Sequence, residues 1–320
     1  MVGAPGKITL WGIEVFVATA QEQSISAAAR RLGASPSSIS QQLSNLETAL
    51  GVVLLNRRER PVTLTPAGEA FRRRAQSILN EAAQARAELA RVDHKTLTQL
   101  RLGMIEDFDS GVTPQLLSEL ADEMKSTQFL LETGASHRLF DQLESRALDV
   151  IVATDMAAAA DWMEIFPLMI EPFIAVAPKG AIAGAEDRKS LLKMPLIQYT
   201  SRHHMGRVIS DHLVRQNITL SHRFELDSYH AIMAMVANGA GWSILTPLGV
   251  SHAKRFRDSV DVFPLPFAPL SRSISLYARR EILGEMPALI AAKLRQLLAK
   301  RIVSTQVAQH PWLKDDLRVI

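Results

Sequence analysis

The 320-residue chain contains no cysteine. That excludes disulfides, thiol catalysis and cysteine-ligated zinc, and it fits the reducing cytoplasm. No apolar run reaches the roughly 18 residues needed to span a bilayer, so no membrane association is expected. The first ten residues lack a basic start followed by an apolar stretch, so no secretory signal is expected. No GxSxG elbow, glycine-rich phosphate loop or clustered catalytic set is visible, and the chain is not expected to be an enzyme or to carry a cofactor. His203 and His204 are adjacent, which points them apart on either a helix or a strand. No spaced carboxylate set joins them, so no metal site is expected. Internal repeats and low-complexity runs are also missing.

Net charge is small, +3, but it is uneven. Residues 1–74 hold nine Lys/Arg against five acids, a surplus of four, and the remaining 246 residues carry a net −1. A basic N-terminal segment suits a phosphate-rich partner. With 47% hydrophobic and 22% charged residues, the chain is long enough for two or more globular domains.

The basic segment contains SISAAARRLGASPSSISQQLSNLE, Ser24 to Glu47. A short Ala-rich helix runs into a Gly-Ala-Ser turn, and a second helix starts at Pro36 with Ser35 as N-cap. Two short helices across a tight turn form the helix-turn-helix pattern, whose second helix enters the major groove of DNA. Ile39, Leu43, Leu46 and Leu50 would bury that helix against an apolar face of the preceding one, made by Trp11, Val15, Phe16 and Thr19. Its opposite face presents Ser37, Ser38, Gln41, Gln42 and Asn45, groups able to reach bases and phosphates. Gly51 ends it, and VLLNRRERPVTLT then reads as a hairpin with a basic tip, a wing.

A long helix is expected from Pro66 to about Val92, with Thr65 as N-cap. Phe71, Ala75, Ile78, Ala82, Ala85, Leu89 and Val92 follow a 3.5-residue period, the mark of a dimerising seam. Beyond a polar hinge, short apolar strands (LRLGMI, FLLET, DVIVAT, PLIQYT, GWSILT, ISLYAR) alternate with helices near Pro114–Met124, His137–Arg146, Arg207–Gln216 and Tyr229–Ala237. That alternation predicts open α/β sheets. The segment 170–178 leads from one half to the other and 271–279 leads back, giving two lobes with a cleft.

These motifs resemble the LysR-type transcriptional regulators. The family's SxxxAAxxL, LExxLGxxLFxR and LTxxG are matched by SISAAARRL, by LETALGVVLLNR and by LTPAG. LRLG, LDVIVAT and VANGAGWSILTP match the later part more loosely. The chain departs from the family pattern at Pro36-Ser37, at Gln41 where arginine is frequent, and at Leu55-Asn56-Arg57, so no operator sequence is carried over.

The resemblance implies an α/β protein with an all-α-type winged helix-turn-helix domain and a two-lobed, periplasmic-binding-protein-like (type 2) effector domain. The expected boundaries are 1–65 for the DNA-binding domain, 66–92 for the linker helix and 93–99 for the hinge. The effector domain follows over 100–304, with lobe I at 100–170 and 271–304 and lobe II at 171–270, and then a tail, 305–320, with no readable role. Expected partners are promoter double-stranded DNA, a small-molecule effector, further copies of the chain as dimer and homotetramer, and RNA polymerase if the protein activates. Expected DNA contacts are Arg31, Ser35, Pro36, Ser37, Ser38, Ser40, Gln41, Gln42, Asn45, Arg57 and Arg58. Expected effector positions are Ile105, Glu106, Asp107, Ser136, Thr154, Thr200, Ser201, Arg202, Tyr229 and Thr246. Acids after the first strand argue against a carboxylate effector, while Arg202 and His203 argue for one, and the sequence leaves that sign open. The rival readings are a solute-binding protein or an α/β enzyme with an accessory N-terminal module.

Overall fold

The computed structural model describes residues 7–90, 97, 99–109, 111–155, 160–183 and 185–320. The expected hinge lies largely outside the described residues, as do Val92 and the side chain of Leu89. Two compact units emerge, Met1–Thr96 with Glu144–Ala147, and Leu97–Leu143 with Leu148–Ile320.

The N-terminal unit contains α1 (Leu10–Glu22), α2 (Ile25–Leu32), α3 (Pro36–Leu50), the strands β1 (Leu55–Asn56) and β2 (Thr63–Leu64), and α4 (Pro66–Ala90). Local chemistry sets each boundary. Thr9, Ser24 and Ser35 side chains accept from the N–H groups of Gly12, Ala27 and Ser38. Gly33 and Gly51 close α2 and α3 with φ of 65° and 71°, a conformation that favours glycine. Thr65 accepts from the Gly68 N–H at 3.0 Å and starts α4. A Cβ at Gly68 would stand 2.1 Å from the Leu54 carbonyl oxygen, so LTPAG needs glycine to let α4 approach the wing. Ile13, Phe16, Ile39, Leu43 and Leu46 form the core, and the Phe16 and Phe71 rings lie 5.3 Å apart.

The second unit runs β3 (Gln99–Met104), α5 (Val112–Glu123), β4 (Gln128–Thr133), α6 (Ser136–Glu144), β5 (Val150–Thr154), β6 (Met163–Pro172), β7 (Ile174–Pro178), β8 (Leu196–Tyr199), α7 (His204–Arg215), β9 (His222–Leu226), α8 (Tyr229–Ala237), β10 (Ser243–Leu245), α9 (Pro247–His252), β11 (Val260–Pro264), β12 (Ser271–Arg279), α10 (Met286–Leu298), α11 (Ser304–Gln309) and β13 (Arg318–Val319). One lobe is built on a six-stranded mixed sheet, β13-β6-β12-β5-β3-β4. Within it β3 is parallel to β4 and β5, as short β-α-β links require. The other lobe holds the antiparallel β10-β7-β11 and the parallel pair β8-β9. Only Phe173 separates β6 from β7, and on the return Ser271 of β12 pairs with Pro172 of β6, so the two crossings run side by side.

The C-terminal segment, silent in the sequence, belongs to this fold. Arg318 and Val319 pair with Ile170 and Met169, and Leu313 and Leu317 are fully buried. No helix among the described residues is long and apolar enough to cross a membrane.

Candidate nucleic-acid interface and ligand cleft

Helix α3 is fixed by its apolar face, which leaves its polar face open. Ile39, Leu43 and Leu46 are buried, whereas Ser35, Pro36, Ser37, Ser38, Gln41 and Asn45 are exposed. Ser40 and Gln42 are half-buried. Gln41 donates to the Asn45 side chain at 2.9 Å, which orients both amides along the face. Arg31 is exposed and paired with Gln21 and Glu22.

The wing arginines divide. Arg57 points inward to the Glu47 carboxylate, the Ser44 hydroxyl (2.9 Å) and the Ser40 carbonyl (3.3 Å). Glu47 also accepts from the Leu54 and Leu55 N–H groups at 2.8 and 3.2 Å. Glu47 and Arg57 therefore clamp the wing to α3, and Arg57 is spent on that clamp rather than held for a phosphate. Arg58 and Arg60 are exposed, and among the described residues no side-chain hydrogen bond or ion pair engages either. The seam divides as well. Phe71 packs on Phe16 and Ala75 is fully buried in this unit's own core, because the first turns of α4 face α1. Ile78 and Ala85 are exposed and Ala82 half-buried.

In the second unit a cavity of about 300 Å³ opens between the lobes. Ile105, Glu106 and Asp107 line it after β3, Ser136 at the start of α6, Thr154 at the end of β5 and Tyr229 at the start of α8. The Ser136 hydroxyl accepts from the Thr154 N–H at 3.1 Å. Thr200, Ser201, Arg202 and Thr246 are elsewhere. The Ser201 N–H donates to Glu225 at 2.8 Å and the Thr200 and Ser201 hydroxyls at 2.9 and 3.1 Å, and these bonds, the N–H first, hold the Glu225 carboxyl below its ordinary range. Arg202 is exposed, and Thr246 is buried as the N-cap of α9.

The wall contains groups that are not among the expected effector positions. Arg272 of β12 is buried, with Nε 2.7 Å from Glu171 Oε1 and Nη2 2.5 Å from Asp107 Oδ2. Nη2 also contacts Glu171 Oε1, and the Thr154 and Thr246 hydroxyls both lie at 3.4 Å from the guanidinium. Glu171 is fully buried and also accepts from the Leu248 N–H at 3.2 Å, reaching the second lobe. Burial pushes the Glu171 carboxyl up despite Arg272 beside it. His137, His203 and His204 also line the cavity. Burial, then neighbouring arginines, push His137 and His204 below the usual imidazole range. The available sequence signal was a charged residue in each of the two crossing strands close to the crossing point, Glu171 and Arg272.

A family model described as the LysR substrate binding domain matches residues 95–300, and the helix-turn-helix model of the bacterial lysR family matches residues 10–69. The chain belongs to the LysR family. It is a LysR-type transcriptional regulator with a helix-turn-helix and an effector-binding domain. The hydrogen peroxide-inducible genes activator of Pectobacterium carotovorum subsp. carotovorum is 27% identical over 271 residues, covering 83% of this LysR-family chain and 89% of that protein. A full-length OxyR variant from Pseudomonas aeruginosa is 26% identical with a TM-score of 0.68, covering 92% of this chain and 97% of that one. CbnR complexed with its target DNA shares the fold, with a TM-score of 0.64 at 20% identity over 90% of this chain and 99% of that one.

Proposed function

We propose that this LysR-family regulator reads promoter DNA with the polar face of α3 and the free arginines of its wing. In this reading a small molecule in the interlobe cleft modulates that binding. The observation that carries it is the division of α3: its apolar face is sealed in the domain core while Ser37, Ser38, Gln41 and Asn45 stand exposed, and Arg58 of the wing is exposed with no side-chain partner among the described residues. Phosphate contacts would come from Arg58, with Arg60 a candidate that the sequence had not included. The 1–65 and 66–92 division is kept in this reading, and the effector domain is taken from about residue 100 through the C-terminal segment, since β13 pairs with β6.

The protein is read as cytoplasmic and non-enzymatic, acting as a dimer or tetramer through the exposed part of α4, and meeting RNA polymerase if it activates. The relatives' peroxide induction is not carried over in a thiol form, because the chain has no cysteine. A gel shift on the DNA upstream of the chain's own gene, with and without cell-extract metabolites, tests this reading. A retarded complex whose amount responds to extract supports it, and the absence of sequence-selective retardation contradicts it.

A further inference from the structure

We infer that the interlobe cleft takes an organic cation, a small ammonium or guanidinium carried on an apolar body. This rests on the cleft being the effector site, as proposed above, and decides the charge that the sequence left open.

The first support is the balance of charge on the wall. Glu106, Asp107 and Asp155 line the cavity, against Arg272 as the one permanent cation among the described lining residues. Arg272 is not available to an incoming anion. Asp107 and Glu171 already bind its guanidinium, and Thr154 and Thr246 take up further contacts. A ligand carboxylate would have to displace a buried carboxylate from its partner and leave that charge uncompensated, a costly exchange in a low-dielectric site. Glu106, by contrast, is exposed, and its side chain has no hydrogen bond or ion pair among the described residues. Arg207 does not line the cavity and donates to the Ser201 and Arg202 carbonyls at 3.2 and 2.9 Å.

The second support is what the uncharged lining offers. Phe173, Tyr199 and Tyr229 contribute rings, with the tyrosine centroids 5.5 Å apart. Their hydroxyls are committed to the Asp227 carbonyl and the Met205 sulfur, so the rings rather than the hydroxyls remain for a ligand, and ring faces attract cations. His137 has a buried Nδ1 with no hydrogen-bond partner among the described residues, an acceptor for a ligand N–H in the neutral tautomer that carries its proton on Nε2. Burial, together with Asp107 and Glu106, raises the Tyr199 hydroxyl, in keeping with a negative field in the cavity. At about 300 Å³ the space suits a small ligand.

The test is calorimetry and thermal unfolding of the full chain with matched probes: phenethylammonium and agmatine against phenylacetate and adipate. Two variants accompany them. Glu106→Gln removes a wall charge. Gly134→Phe fills the cavity, and a Cβ at Gly134 meets nothing within 4 Å, so the fold should accept it. The expected result is binding of at least one cationic probe and neither anionic one, weakened about fivefold by Glu106→Gln and abolished by Gly134→Phe. Anion binding abolished by Gly134→Phe would overturn the charge assignment and keep the cleft. Cation binding that survives both variants would overturn the cleft reading itself. No binding of either series would overturn the inference.

Discussion

Arg272 and Glu171 face each other across β12 and β6, the two strands that cross between the lobes, as directly registered residues. The guanidinium Nε lies 2.7 Å from the carboxylate, and both side chains are buried. Asp107 completes the cluster from the cleft side, and the Leu248 N–H ties it to the second lobe. The wall of the cleft and the crossing strands therefore share one buried ionic group.

Removing one partner from such a cluster leaves buried charge unpaired. Arg272→Met is expected to cost the full chain about 3–5 kcal/mol of stability, read by urea unfolding. A cost under about 1 kcal/mol would show that the cluster is not held as described.

Glu171 gives a pH signature. Its carboxyl is raised in the folded state, so the fold favours the protonated form. That contribution is present below the unfolded value near 4.5 and is lost as pH rises through the higher folded value. Glu171→Gln cannot ionise. Its stability relative to the parent should therefore improve as pH rises from about 4.5 toward neutrality. A parallel pair of stability curves over that range would contradict this.

The wing arginines should separate by experiment. Arg58→Ala is expected to lower affinity on all DNA sequences and to flatten the plot of log K against log salt by about 0.9. Arg57→Ala should instead destabilise the N-terminal unit, because it leaves Glu47 without its clamp, with little change in the salt slope. Equal slope changes for both would return Arg57 to the interface.

Ile78 is the large apolar residue of the 3.5-residue period that stands exposed among the described residues. Ile78→Asp should shift sedimentation toward the monomer with both units still folded, since a charge would be buried across the contact. An unchanged sedimentation coefficient would remove Ile78 from the seam.

The elements legible in the sequence are those fixed by neighbours in the chain. Ser35 with Pro36, Gly33 and Gly51 bound α2 and α3 by local hydrogen bonds, and Tyr229–Ala237 falls on its expected limits. Side chains whose partners come from far along the chain were not legible. Arg272 meets a residue 101 positions away, and nothing near either one announces the other. Thr200 has a hydroxyl at a strand end, as a ligand-binding residue should, yet Glu225 on the adjacent strand takes it. Thr200→Val should accordingly leave ligand affinity within about threefold. Arg57 sits in a basic run, but Glu47, on the preceding helix, captures it.

The measurement closest to the central claim is fluorescence anisotropy of the full chain on its own upstream DNA and on unrelated duplex of equal length, comparing the parent with Ser38→Ala/Gln41→Ala. The account predicts tighter parental binding to upstream DNA, and a double variant that loses about tenfold or more of that preference while keeping its affinity for unrelated duplex. Equal parental affinity for the two duplexes, or a variant with its preference intact, would contradict the assignment of α3 as the reading surface.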